Sequence, residues 1–134
     1  MLQAMKVKID TKAHFKVFTV AGPEVHANMA DELVAELSRQ AQAPPRHLIL
    51  VLDPPARVED PVRDALSAFA RQMAASQLSF VITGILPVDK DMAAIAAGLN
   101  TAPTYEEAVD IVMMEELERE LGAADDLPEE EPGV

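Results

Sequence analysis

The unbroken apolar run Leu48–Leu52, closed by Asp53 and then Pro54–Pro55, constrains this chain more than any other stretch of it. A strand with one wet face alternates apolar and polar side chains. A run without alternation suits a strand covered on both faces, the position of a central strand in a largely parallel sheet. The two prolines lack amide donors and cannot continue an inner ladder. Leu48–Leu52 is therefore expected at the sheet centre, with a loop following Asp53.

The flanking segments supply the other layers. Met5–Asp10 and His14–Ala21 read as an N-terminal strand pair that stops at Gly22–Pro23. Ala30, Leu33, Val34, Leu37 and Ala41 recur at helical spacing, with Asn28 as N-cap and an end before Pro44–Pro45. Val62, Ala65, Leu66, Phe69 and Met73 predict a second helix, with Asp60 as N-cap and Pro61 at the first helical position. Leu78–Ile85 reads as a strand, Val88–Ala97 as a short helix closed by Gly98, and Asn100–Pro103 as a short strand at the sheet margin. Thr104 with Glu107 forms a capping-box pattern opening a long helix from Tyr105 to about Leu121, with Gly122 as its stop. Strands alternating with helices imply parallel crossovers. The fold class is α/β: one domain over 1–121 with a mostly parallel mixed sheet of about five strands and about four helices. Residues 122–134 are rich in Asp, Glu, Pro and Gly, and a disordered acidic tail is expected there.

Composition narrows function. No run approaches the apolar length of a membrane span. Met1–Asp10 alternates Lys6 and Lys8 with Val7 and Ile9, unlike an export signal, so a cytoplasmic protein is expected. The chain has no cysteine, which excludes disulfides, a thiol nucleophile and Cys-ligated metal. Net charge is −12, and two thirds of the excess lies in Glu115–Val134, where nine acidic residues face one basic residue. Such a chain repels phosphate backbones and anionic lipid. A basic protein partner is expected, with no direct nucleic-acid binding and no membrane insertion. Five glycines provide no phosphate cradle, and neither Gly-x-Ser-x-Gly nor His-Glu-x-x-His is present. An enzyme is not expected, nor is a cofactor. His14, His26 and His47 lack metal-ligand spacing.

Three segments resemble the sulfate transporter and anti-sigma factor antagonist (STAS) family: Phe18–Leu37, FTVAGPEVHANMADELVAEL; Leu48–Leu66, an apolar strand ending in Asp53, then a loop and a helix start; and Phe80–Val112, with Gly98–Leu99 followed by Tyr105–Glu106–Glu107–Ala108. The resemblance implies a STAS-like domain and a non-catalytic role in partner switching, with a regulatory protein such as an anti-sigma factor or kinase as partner. In the family, the loop after the third strand commonly reads Asp, Ser or Thr, Ser, Gly, and a hydroxyl there is phosphorylated. Here Asp53–Leu66 contains no Ser or Thr, and the nearest hydroxyl, Ser67, lies inside the predicted helix. By this resemblance the partner-binding or switch loop comprises Asp53, Arg57, Asp60, Pro61, Val62, Arg63 and Asp64. Asp60 either supplies a fixed negative charge where relatives carry a switch hydroxyl or only caps the second helix; Asp64 is the other candidate. The missing hydroxyl also fits a structural or scaffold STAS domain in a larger regulatory or transport-associated assembly, and the family resemblance admits a nucleotide or lipid ligand. Ile111–Met114 with Leu117 makes a helix apolar on more than one side, from core packing or from a homodimer or partner face.

Overall fold

In the computed structural model, which describes residues 6–21, 24–25, 29–85 and 100–125, the N-terminal alternation becomes antiparallel strands β1 (Lys6–Thr11) and β2 (Phe15–Ala21). Their turn is closed by the Lys12 amide donating to the Phe15 carbonyl at 2.8 Å. A two-residue β3 (Glu24–Val25) follows, then α1 (Ala30–Gln40), β4 (His47–Val58), α2 (Asp60–Ala75), β5 (Phe80–Ile85), β6 (Thr101–Ala102) and α3 (Tyr105–Asp125). The main path of the sheet is β1-β2-β4-β5-β6, with β3 paired to the far end of β4. Every pairing other than β1 with β2 is parallel, so the mixed α/β architecture is as expected.

The strand centred on Leu48–Leu52 does separate two cores. Leu48, Leu50 and Leu52 join Phe18, Phe80 and Ile82 beneath α1 and α2. Ile49 points the other way and packs with Phe15, Val17 and Val81 under α3, through Ala108 and Val112. That is period-two alternation with both faces apolar. Phe69 and Phe80 meet edge to face, with centroids 4.9 Å apart, an arrangement worth about 0.5–1.5 kcal/mol beyond area burial.

Four boundaries differ from the sequence expectation. The central strand does not stop at Asp53 but runs to Val58. Its prolines fall in a register shift between Val51 and Ala56, so no regular ladder position asks them for a donor. The α2 cap position is Glu59, with an extended backbone, which makes Asp60 the first helical residue and puts Pro61 one place later than expected. The α1 cap position is Met29, without a side-chain cap bond. Gly122 does not end α3, which continues to Asp125; no left-handed backbone is found at Gly122, the conformation by which glycine terminates helices. The Thr104 cap is as expected, its hydroxyl accepting the Glu107 amide at 3.1 Å. Three helices are present among the described residues. The expected helix Val88–Ala97 with Gly98–Leu99, the Gly22–Pro23 stop, His26, residue Asn28 itself and residues 126–134 lie outside them.

Candidate partner-binding site

The sequence-derived site forms where β4 leaves the sheet and α2 begins. Parallel strands deliver their C-terminal ends to one side of an α/β sheet, and ligand-contacting loops collect there. β4 is held at its end by β3, whose Glu24 and Val25 pair with Arg57 and Val58, and by the Ala56–Ile85 pairing to β5. Gly84 makes the second contact feasible. It has φ +95°, and a Cβ built on it would lie 2.2 Å from the Leu52 carbonyl oxygen. Only glycine satisfies both conditions, so β5 can press against β4 where β4 bulges.

Beyond this anchor, Asp53, Glu59, Asp60, Pro61 and Asp64 are exposed. Val62 is fully buried and joins the core with Leu66, so it fixes the helix start from beneath and presents no surface. Arg63 pairs with Asp60 one turn back, the Asp60 side chain 77% exposed and the Arg63 side chain only 12%. The guanidinium thus lies along the helix and faces Asp60. Asp60 has no capping role; it stands in the first turn, where a negative charge complements the helix dipole. Arg57 sits in β4 opposite Glu24. The structure therefore brings Asp53, Asp60, Pro61, Arg63 and Asp64 to one end of the sheet, with Asp60 and Arg63 already engaged with each other.

Sequence spacing did not reveal a second polar cluster at the opposite end of the sheet. Ser79, almost fully buried, donates its hydroxyl to Glu115 Oε1 at 2.6 Å and accepts Arg119 Nη1 at 3.0 Å. Asn100 Nδ2 donates to Glu115 Oε2 at 3.0 Å. His47 Nδ1 accepts the Ser79 amide at 2.9 Å, while its Nε2 lies 3.8 Å from Glu116, which also has His14 Nδ1 at 3.5 Å. Burial pushes the His47 imidazole below its ordinary value, against the pull of Glu116. Because Nδ1 is an acceptor, neutral His47 carries its proton on Nε2, facing Glu116. Two histidines distant in sequence thus converge on one carboxylate, which linear spacing cannot reveal. Among the described residues no group of three or more His, Cys, Asp or Glu is placed to hold a metal ion, and no helix is long and apolar enough to cross a membrane.

No family model matches the chain, and no curated protein matches it by sequence. Solved structures do match. An anti-sigma factor antagonist from Mycobacterium paratuberculosis superposes with a TM-score of 0.61 at 14% identity, covering 81% of this chain and 94% of that one. A serine-to-glutamate variant of RsbS from Moorella thermoacetica gives 0.62 at 22% identity, covering 85% and 98%. With its antiparallel first strand pair, parallel centre and closing long helix, this chain has the fold of the anti-sigma factor antagonists, the STAS-domain fold.

Proposed function

We propose that this chain is a non-catalytic binding module of the anti-sigma-antagonist kind, which engages a regulatory protein, such as a kinase-like anti-sigma factor, through the β4 end and α2 start at 53–64. The observation that carries this reading is the exposed carboxylate set Asp53, Asp60 and Asp64, held at one end of an antagonist-type fold by buried Val62 and by the close approach at Gly84. In this reading the surface carries fixed charge and is not reset by phosphorylation, because Asp53–Leu66 has no hydroxyl.

The test is calorimetric titration of an anti-sigma-type kinase with wild type, Asp60→Ser and Asp60→Ala. If the Asp60 charge restrains binding as a phosphate would, both variants bind at least about tenfold tighter, about 1.4 kcal/mol. If all three bind alike, Asp60 serves only the helix start and its pair with Arg63. Binding by none of them overturns the antagonist reading. A second reading, a scaffold STAS domain without a switch, is favoured by the same missing hydroxyl, and that last outcome would support it.

A further inference from the structure

The long helix α3 packs on the sheet through Ala108 and Val112, yet its opposite side is not the polar surface such a helix normally shows water. Met114, Leu117 and Leu121 are 60%, 54% and 55% exposed. Their spacing of three and then four residues puts them in one row along the helix, the spacing at which one helix offers knobs to another. The same face carries Glu107, Asp110 and Glu118, all exposed. The only basic residue of Tyr105–Asp125 is Arg119, which is turned inward onto Ser79 and Glu115.

Among the described residues of α3, the charged side chains on this apolar face are all carboxylates, and that selects an occupant by charge. A second copy would set acid against acid whether the helices ran parallel or antiparallel, because the rim is acidic at both ends and each chain carries a net charge of −12. The chain's own last residues, 126–134, contain only acidic charged side chains. Nucleic acid and anionic lipid are repelled for the same reason. We propose that the Met114–Leu121 face of α3 is a docking surface for a basic amphipathic helix of another protein, whose leucine-type side chains cover the row while lysines or arginines meet Glu107, Asp110 and Glu118. This surface is separate from the α2 start and does not depend on the antagonist reading. Methionine in the row lets it adapt to the partner's shape.

The test uses the full chain and a labelled synthetic amphipathic helix with leucines on one side and lysines elsewhere, followed by fluorescence anisotropy. Saturable binding is expected. Leu117→Gln with Leu121→Gln, which retains good helix formers and the acidic rim, should weaken it at least about tenfold, as expected on losing two leucines from a covered row. In wild type, amide shifts on titration should concentrate at Met114–Leu121. The proposal is overturned if the double variant binds like wild type, since charge alone would then suffice, or if the shifts concentrate at Glu59–Leu66. Self-association of wild type by ultracentrifugation that the double variant abolishes would equally overturn it, by naming a second copy as the occupant.

Discussion

At the residue scale, single side chains hold boundary conditions that neighbouring elements rely on. Lys16, buried in β2, donates its ammonium to the carbonyl oxygens of Gln40 and Ala43 at 2.6 and 2.8 Å. A cation placed there satisfies the last carbonyl of α1, at Gln40, and that of Ala43 in the loop just beyond, and complements the negative pole of the helix. Glu36 serves the same helix. Burial works to raise its carboxyl, but hydrogen bonds from Arg39 and Gln40 prevail and hold it below the ordinary value. Gly84 is less forgiving than either, because neither its backbone nor its surroundings tolerate a Cβ. We expect Gly84→Ala to cost more than about 2 kcal/mol in denaturant unfolding, combining left-handed strain with overpacking against the Leu52 carbonyl. A loss under about 0.5 kcal/mol, ordinary for a surface substitution, would mean that β5 moves away from β4 at no cost.

At the scale of elements, α3 is latched to the sheet by polar contacts at its far half as well as by Ala108 and Val112. The Ser79, Asn100, Glu115 and Arg119 network and the two histidines on Glu116 tie the helix to the starts of β4 and β5. His47 gives this latch a pH dependence of known sign. Desolvation lowers its folded value, Glu116 and Glu115 oppose that, and Arg119 and His14 reinforce it. An unfolded imidazole protonates near pH 6.5, and the folded one does so only at lower pH. The stability that neutral His47 contributes is therefore present above about pH 6.5 and is lost as pH falls through the interval below it. Thermal melts from about pH 8 to about pH 5 should show wild type losing stability more steeply than His47→Gln, which keeps an acceptor for the Ser79 amide and cannot titrate. Equal slopes would remove His47 from the latch. This network was invisible in the sequence because it joins residues 14, 47, 79, 100 and 115–119, whereas periodicity reports only on one element at a time. The strand pair, the two-faced central strand and the Thr104 cap were legible, since each is written in neighbouring residues. The run of β4 past Pro54–Pro55 was not, because a register shift is a property of paired strands. Nor was the assignment of the α2 cap to Glu59, because Asp60 is as good a cap by type and only backbone geometry separates them. In the candidate site, the exposed carboxylates were legible, but the burial of Val62 and the turning of Arg63 toward Asp60 required tertiary structure.

At the scale of the whole molecule, two surfaces on different layers follow from one topology: the α2 start at one end of the sheet and the outer face of α3 over the opposite layer. Neither draws on residues 126–134, whose acidic, proline-containing composition offers nothing for a core. Truncation after Asp125 is expected to leave Tm within a few degrees of the full chain in calorimetry; a drop of about 10 degrees or more, equivalent to a loss of about 2–3 kcal/mol, would mean that those residues dock. The order of the strands has one more consequence, for how copies of this chain meet in concentrated solution. An unpaired outer strand is a template onto which a foreign strand can hydrogen-bond, the route by which sheets fuse into aggregates. Among the described residues the sheet ends at β6, only two residues long, and at β1, where Lys6, Lys8 and Asp10 alternate with the apolar positions. Brevity blunts one margin and charge the other, so strand-to-strand fusion is discouraged on both sides.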